Sequence, residues 1–358
     1  GGGHRRPCGG SSGSADVVSA ALPRAWGDAV GSGVIRFCPE DFQVREELGF
    51  DLTGQGEHVF LYLEKSRLNT MELLDRVARL GGVSQREVGI SGLKDRNALT
   101  SQWFSVGLAG RPEPDWQQLE SGGDVRVLRV GRHQRKLKRG VHRANRFSLR
   151  LRQLEGERDR LQERLQCIGR EGLPNYFGEQ RFGRDASTLR QAERWMQGGG
   201  ARTTRNKRSL YLSALRSKIY NGLLAERVGG GSWNQVLDGD TCILQGTRSH
   251  FRCDRVDADI AARTAALDLH PALPLWGRGD LNPPDAERAT CRFLEEAGLE
   301  LAWRATRVVP DDFCWRFCDD DGLQLDFALG AGSYATALLA ELVQYREERN
   351  TGSDKGSE

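Results

Sequence analysis

The 358-residue sequence has no long apolar run. A helix that crosses a membrane needs roughly 20 consecutive, mostly apolar residues, and polar or charged side chains interrupt every shorter apolar stretch of this chain. The sequence therefore predicts a soluble protein. Its length is enough for about two domains, each with a sizeable core.

Cysteine clusters with metal-ligand spacing are also missing. The eight cysteines stand at wide, irregular intervals, and no second close pair of ligands accompanies His250 and Cys253, although Cys242 is nearby. Structural zinc sites need such a second pair, so the sequence predicts no metal site. In the absence of a recognisable secretory leader, reduced thiols and a cytoplasmic location are the simplest expectation.

Acidic residues are missing from two stretches. Residues 126–152 contain eleven Lys and Arg and residues 194–225 contain seven, with no Asp or Glu in either stretch. Such basic stretches attract polyanions, because each phosphate that they neutralise releases counterions. The alternative is a solvated surface whose charges bind no partner.

Hydrophobic periodicity divides the chain into three parts. Alternation predicts strands at residues 34–44, 59–63, 103–106, 125–130, 147–151, 241–244, 313–317 and 323–329. Helical spacing predicts helices at 69–81, 161–168, 189–196, 210–228, 286–297 and 333–342, and the Pro-rich residues 267–284 suggest a loop. Strand-rich ends around a helix-rich middle indicate an α+β chain whose middle is inserted into one sheet domain. Residues 1–16 are Gly/Ser-rich with almost no apolar content, and the C-terminal residues are polar, so residues 1–24 and 349–358 are predicted to be flexible tails.

The stretch around Asp95 is the most informative for chemistry. In Ser91–Gln102 this carboxylate stands between Lys94 and Arg96, in a Gly-led segment before a predicted strand. Opposite charges favour the ionised form of an acid, and an ionised carboxylate on a well-held loop can serve as a nucleophile. On charge and spacing alone, a solvated surface turn explains the same residues.

Three motifs resemble the TruD family of tRNA pseudouridine synthases. They are Pro39–Glu46 (PEDFQVRE), followed by Gly56–His58 and Asn69–Thr70; Gly92–Trp103 (GLKDRNALTSQW); and Asn175–Gly183 (NYFGEQRFG). Weaker matches are Asn145–Phe147, Arg205–Arg208 with Ser213–Arg216, and Gly332–Thr336. The motifs follow the family's order from about residue 32 to residue 345, so the resemblance covers nearly the whole chain.

The resemblance implies a fold of two domains. Residues 25–170 and 309–348 would form a pseudouridine-synthase catalytic domain with a mixed, mostly antiparallel sheet and flanking helices. Residues 171–308 would form an inserted α/β TRUD domain. This layout agrees with the α+β pattern of the periodicity.

The resemblance also implies site residues. Asp95 matches the family's catalytic aspartate, and Arg36 stands where the family typically has a lysine that pairs with that aspartate. A guanidinium holds a carboxylate well, but it is not interchangeable with an ammonium. Positions around the target nucleotide are matched by Phe42, Lys94, Asn145, Phe147 and Tyr334. Core packing is the alternative for the three aromatic residues.

Further roles are expected from the residues themselves. Gly92 would give the turn before Asp95, and Thr100 and Gln102 would hydrogen-bond across the loop. Contacts with a tRNA backbone, which set register without reading bases, are expected from His133, Arg135, Lys136, Lys138, Arg139 and Arg181.

The resemblance implies an enzyme that isomerises a uridine of tRNA, namely uridine 13 of the D-arm, to pseudouridine. Expected substrates include tRNA-Glu. The reaction oxidises nothing and needs no cofactor, but it needs a nucleophile and a site that excludes water. Two alternatives stay open: a non-catalytic tRNA-binding or chaperone protein on the same fold, and a hydrolase that uses Asp95 as a general base. No obligate protein partner is predicted, and a monomer is the default.

Overall fold

A computed structural model describes residues 22–347, which form two compact units. The sheet unit consists of Trp26–Asn175 and residues 307–347, and the inserted unit consists of residues 22–25 and Tyr176–Thr306. Apart from residues 22–24, the predicted flexible tails lie outside the described residues. The carbonyl of Pro23 accepts a hydrogen bond from the Tyr176 hydroxyl at 3.2 Å.

Seven α-helices and sixteen strands occur within residues 22–347. The helices are α1 (Thr70–Leu80), α2 (Arg158–Glu171), α3 (Ser187–Gln197), α4 (Arg205–Gly229), α5 (Ala258–Ala265), α6 (Arg288–Glu296) and α7 (Ala335–Leu342). The strands are β1 (Gly31–Ile35), β2 (Phe42–Glu47), β3 (His58–Lys65), β4 (Val88–Ile90), β5 (Leu99–Gly107), β6 (Val125–His133), β7 (Ala144–Gly156), β8 (Leu173–Pro174), β9 (Thr241–Leu244), β10 (His250–Arg252), β11 (Leu269–Leu275), β12 (Ala302–Ala305), β13 (Arg307–Val308), β14 (Asp311–Cys318), β15 (Gly322–Gly330) and β16 (Gln344–Glu347). None of these helices is both long enough and apolar enough to cross a membrane.

The sheet unit is built on a ten-stranded sheet. Seven strands follow the order β14-β15-β7-β2-β5-β3-β6, while β1 pairs with β7 and β16, and β4 pairs with β5. Among the described strands, only the β1–β16 and β2–β5 pairs are parallel. The sheet is therefore mixed and mostly antiparallel, which confirms the fold class expected from the sequence.

Alternation along β7 builds the larger core of this unit. Leu149 lies opposite Phe42 of β2 and Leu325 of β15. Phe147 stacks on Phe327 with ring centroids 5.3 Å apart. Apolar residues of α2 and α7 cover the same face, so one side of the sheet becomes a closed core. The outward residues of β7 are mostly arginines, which explains why a strand can be basic and buried at once.

A second core lies between β3, β5 and α1. Every second residue of β3, namely Val59, Leu61 and Leu63, is fully buried. These side chains pack with Leu73 and Val77, which α1 presents one turn apart. The strand and the helix that precede the Asp95 stretch are thus fixed by apolar packing.

The inserted unit contains helices α3 to α6 and a four-stranded antiparallel sheet in the order β10-β9-β11-β12. The prediction of a loop over residues 267–284 is wrong in part, because β11 crosses it between β9 and β12. Pro271 and Pro274 lie within β11, where their carbonyls remain acceptors: the Thr306 amide donates to the Pro271 oxygen at 2.8 Å. The missing N–H groups of the two prolines therefore did not prevent β11 from pairing with β9 and β12. Tyr334 is the N-cap residue of α7.

We predict that Leu149→Ala lowers the free energy of unfolding by about 2–5 kcal/mol, because it opens a cavity in a core with no nearby solvent. Leu128→Ala is the matched control, since Leu128 lies on β6 of the same sheet with 43% of its surface exposed. The control should change stability by no more than about 0.5 kcal/mol. Chemical denaturation measures both, and equal effects would contradict the assignment of this core.

Candidate active site

The strand ends of the sheet unit bring distant residues together around Asp95. The Asp95 loop, residues 91–98, connects β4 to β5. Arg36 directly follows β1, and Phe42 is the first residue of β2, whose parallel pairing with β5 begins at Gln43 and Leu99. The sheet register therefore places Arg36 and Phe42 next to the loop.

The Asp95 carboxylate is held by two donors. The Arg36 guanidinium lies 2.8 Å from Oδ2, and the Asn97 main-chain N–H donates to Oδ1 at 3.0 Å. The Asp95 side chain nevertheless stays 28% exposed, whereas Arg36 is 11% exposed. A carboxylate has about four acceptor positions, so Asp95 is oriented and still open to a substrate.

Arg36 is itself constrained from several sides. Its φ of 54° lies in the left-handed region, which is costly for a residue other than glycine and is tolerated where surroundings impose it. Its guanidinium lies 4.1 Å from the centre of the Phe42 ring and also forms an ion pair with Glu347. Glu347 is in reach because it pairs with Ile35 in the parallel β1–β16 ladder. Glu347 was not among the expected site residues, since nothing near it in the chain indicates a site.

Lys94, the residue before Asp95, points into the protein. Its ammonium lies 3.0 Å from Glu46 Oε2 and donates to Asn145 Oδ1 at 2.8 Å. The Lys94 and Glu46 side chains are 7% and 0% exposed, so this is a buried ion pair. The Trp103 amide donates to the other oxygen of Glu46 at 3.2 Å. Glu46 was not among the expected site residues, although it ends the first motif.

His142 completes this buried group. Because Asn145 Oδ1 faces Lys94, its Nδ2 must be the donor to His142 Nε2, 3.2 Å away. The imidazole is therefore neutral, with its proton on Nδ1. Burial, and to a smaller extent the charge of Lys94, lower the pKa of His142. Both ends of the Asn145 amide are thus occupied by protein groups, whereas the resemblance implies a position next to the target nucleotide.

Gln102 and Thr70 brace the loop from β5 and α1. Gln102 Nε2 donates to the Gly92 carbonyl at 3.0 Å, and the Thr70 hydroxyl donates to Gln102 Oε1 at 3.0 Å. The Lys94 main-chain N–H donates to the same Thr70 hydroxyl at 3.0 Å. These bonds cross the loop, as expected for Gln102, and add Thr70 as a bracing residue.

Two residues behave differently from the expectation. The Thr100 hydroxyl is fully buried and has no hydrogen-bond partner within residues 22–347, so it does not bond across the loop. Gly92 does not have a positive φ, and a Cβ added there would meet nothing closer than His142 Cε1 at 4.0 Å. Local geometry therefore does not require glycine at position 92.

Lys65, the last residue of β3, was also missed. Its side chain is 1% exposed, and its ammonium donates to the main-chain oxygen of Asp95 at 2.9 Å. Burial lowers the pKa of Lys65 to about 8, although the charge of Asp95 acts in the opposite direction. Residue 95 is therefore contacted by cations at both its main chain and its side chain.

The expected aromatic residues fall into two groups. Phe42 and Phe147 are 4% and 7% exposed and belong to the larger core, with ring centroids 6.4 Å apart in an edge-on arrangement. Phe42 alone also contacts Arg36. Tyr334 is half-buried at the start of α7. Core packing therefore accounts for Phe147, whereas Phe42 belongs to both the core and the site.

The basic stretch at 126–152 is largely neutralised by acids from elsewhere in the chain. Six of its eleven cations form ion pairs: Arg126 with Glu64, Arg132 with Glu113, Arg143 with Glu47, Arg146 with Glu47 and Asp312, Arg150 with Asp320, and Arg152 with Asp41. Arg135, Lys138 and Arg139 are exposed and form no ion pair with any residue from 22 to 347. These three remain available to a polyanion.

The other expected backbone-binding residues have protein partners. Lys136 donates to the Arg86 carbonyl. His133 is half-buried, accepts a hydrogen bond from the Thr53 amide at 3.3 Å and lies 4.9 Å from the Phe50 ring. In the inserted unit, Arg181 donates to the Ser213 hydroxyl at 2.7 Å and lies over the Phe177 ring at 5.1 Å.

Comparison with known proteins gives consistent matches. The family described as tRNA pseudouridine synthase D (TruD) matches residues 26–196 and 186–342. A tRNA pseudouridine synthase D from Methylococcus capsulatus is 48% identical over 335 residues, 90% of this chain and 94% of that protein. One from Pseudomonas aeruginosa is 45% identical over 334 residues, 90% of this chain and 93% of that protein. A crystal structure of a TruD protein from Methanosarcina mazei has a TM-score of 0.62 at 20% identity, over 90% of this chain and 95% of that one, and this shows the shared fold.

The buried Lys94–Glu46 pair can be tested by a double-mutant cycle. Glu46→Gln should lower the free energy of unfolding by about 3–5 kcal/mol, because it leaves the Lys94 ammonium buried without a counter-charge. Adding Lys94→Met should restore part of this loss. Chemical denaturation of both single variants and the double variant measures the coupling, and additive losses would contradict a direct interaction.

His142 should make stability depend on pH. Its pKa is lowered in the folded protein, so the unfolded chain takes up a proton first and stability falls as the pH drops below about 6.5. His142→Gln should therefore lose less stability between pH 7.5 and pH 5.5 than the wild type does. Denaturation at both pH values gives the comparison, and an equal loss would show that His142 does not contribute.

Proposed function

The chain belongs to the TruD family of tRNA pseudouridine synthases, and from this membership we propose that it converts uridine 13 in the D-arm of tRNA to pseudouridine with Asp95 as the reacting carboxylate. The observation that carries the role of Asp95 is its geometry. Arg36 and the Asn97 amide hold the two carboxylate oxygens, while the side chain remains partly exposed. Such preorganisation is what a nucleophile needs.

The reaction is an isomerisation whose atoms balance without a co-reactant. The bond between C1′ of the sugar and N1 of the uracil breaks, the uracil turns, and a bond forms between C1′ and C5. The hydrogen on C5 is lost as a proton, and N1 gains one. Asp95 can add to C1′, add to the pyrimidine ring, or assist removal of a proton from the sugar, and all three routes use the same oriented carboxylate.

Arg36 takes the place of the lysine that is typical of the family. A guanidinium presents several N–H donors in one planar fork, and one of its nitrogens lies 2.8 Å from the Asp95 carboxylate. Because Arg36 also contacts Glu347 and Phe42, its fork serves three partners at once. An ammonium has no such planar fork. The contact with Glu347 therefore depends on having arginine, and not lysine, at position 36.

The tRNA would be held mainly through its phosphates. Arg135, Lys138 and Arg139 are exposed in one short segment and lack ion pairs with the described residues, which favours them for backbone contacts. Uridine 13 lies within folded tRNA and must be turned out of the stack, at a cost of a few kcal/mol. We expect tRNA-Glu among the substrates and a monomer as the working form.

The test is to map pseudouridine in a transcribed tRNA-Glu after incubation with the wild type and with Asp95→Asn. The wild type should modify uridine 13 alone, and Asp95→Asn should be slower by at least about 10³-fold, since loss of a catalytic nucleophile removes several orders of magnitude. Asp254→Asn makes the same chemical change at a carboxylate that is 89% exposed in the inserted unit. This control should keep wild-type activity.

Each of the other possible outcomes would contradict a different part of the proposal. Product from Asp95→Asn at the wild-type rate would refute the role of this carboxylate. Modification at another uridine would refute the position but keep the activity. Binding of tRNA without any pseudouridine would favour a non-catalytic tRNA-binding protein, and release of free uracil, detected by chromatography, would favour a hydrolase.

A further inference from the structure

Lys65 interrupts a row of apolar side chains. Val59, Leu61 and Leu63 alternate along β3 and are fully buried, and Lys65 occupies the next position on that face with 1% of its surface exposed. A pattern of this kind calls for an apolar residue at position 65. Lysine is among the residues that are almost never fully buried unless they are paired, so its presence here needs a reason.

The surroundings of Lys65 offer its charge no direct partner. The ammonium donates to the main-chain oxygen of Asp95 at 2.9 Å, and it forms no ion pair with a carboxylate within residues 22–347. Burying an ammonium with so little compensation is unfavourable. An apolar side chain of similar length would fill the same space, so stability of the core does not explain this lysine.

We propose that Lys65 is a positioning residue for Asp95: it holds the main chain of residue 95 and so keeps the carboxylate in register with Arg36 and the substrate. The proposal rests on the proposed role of Asp95 in the reaction. Its basis is that the other described contacts from neighbouring elements to the main chain of the loop lie before residue 95, and that among residues 22–347 only Lys65 holds the carbonyl of residue 95. Gln102 holds residue 92, and Thr70 holds residue 94.

The carbonyl matters because it sets the orientation of the side chain. Rotation of the peptide after residue 95 would move the Asn97 amide, which is one of the two donors to the carboxylate. Lys65 donates to that peptide's oxygen from the end of β3, where its main chain is fixed between β5 and β6. A displacement of about 1 Å at a reacting group can cost 10²-fold in rate.

The charge of Lys65 makes the arrangement sensitive to pH. The charged groups that act on its ammonium are Asp95 and Lys94 of the loop. The neighbouring strands place Thr100 and Val125 opposite it, and neither residue titrates. Because burial lowers the pKa of Lys65 to about 8, the ammonium loses its proton as the pH rises through that value. The rate should then fall on the alkaline side.

The experiment compares wild type, Lys65→Met and Lys65→Arg in single-turnover assays on tRNA-Glu between pH 6.5 and pH 9.5. Lys65→Met should lower the rate constant at least tenfold at pH 7.5, change the half-saturating enzyme concentration less than twofold, and lose the alkaline decline. Lys65→Arg, which stays charged, should recover part of the rate at pH 9. Leu63→Ala is the matched control, because it damages the same row of β3 and should lower the thermal midpoint without changing the rate of the folded protein.

A measurement without turnover keeps the test valid if a variant does not fold or if the proposed activity is wrong. NMR of the Lys65 side chain should give a lower pKa in Asp95→Asn than in the wild type, because the carboxylate that favours the ammonium is gone. An unchanged pKa would overturn the proposal, as would a folded Lys65→Met with wild-type rate or with an unaltered alkaline decline. Failure of the wild type to make pseudouridine would instead overturn the proposed function.

Discussion

The ion pair between Arg36 and Asp95 is the interaction on which the site depends. The two residues are separated by 59 positions (95 minus 36) and stand in different loops, so only the sheet can bring them together. Arg36 accepts a left-handed backbone conformation in order to be there, and the energetic cost of that conformation is of order 1–3 kcal/mol. The β1–β16 ladder supplies Glu347 as a second partner, and the start of β2 supplies the Phe42 ring. A strained residue held by this many contacts is a fixed support, against which the Asp95 carboxylate keeps its orientation.

A second set of charges lies out of solvent on the inner side of the same loop. Lys94, Glu46, Asn145 and His142 form one buried hydrogen-bonded group. Buried ion pairs contribute little to stability compared with apolar residues of the same size, and the neutral state of His142 adds a further cost at low pH. These residues define a single position for the Asp95 loop, because an alternative position would leave one of the charges unpaired. This arrangement favours precision of the site over stability of the core.

The sequence predicted the sheet unit well wherever one face of a strand is apolar, as along β7, where Phe147, Leu149 and Leu151 alternate. The resemblance led to the expectation of an ion pair between Arg36 and Asp95 and of a Gln102 hydrogen bond across the loop, and both contacts are present; the catalytic role of Asp95 stays a prediction. The sequence did not predict β11, since two prolines within a few residues, Pro271 and Pro274, favour a loop over a strand. The sequence also did not predict Glu347, His142 and Lys65 as site residues, because their roles arise from strand register and burial. Lys65 alone had a signal that could be used: a cation that continues the apolar row of Val59, Leu61 and Leu63.

The arginines show why a basic stretch in a sequence is a poor measure of a basic surface. Six of the eleven cations in residues 126–152 find carboxylates from other parts of the chain, so their charge is balanced in the fold. Of the other five, Arg129 lies on β6 over the Trp103 ring, while Lys136 and the exposed Arg135, Lys138 and Arg139 stand in one short segment. An RNA phosphate that approached the paired arginines would have to displace a carboxylate, whereas one that approached this segment would displace only mobile ions. Ion pairing within the fold thus leaves only part of a long charged stretch without a carboxylate partner among residues 22–347.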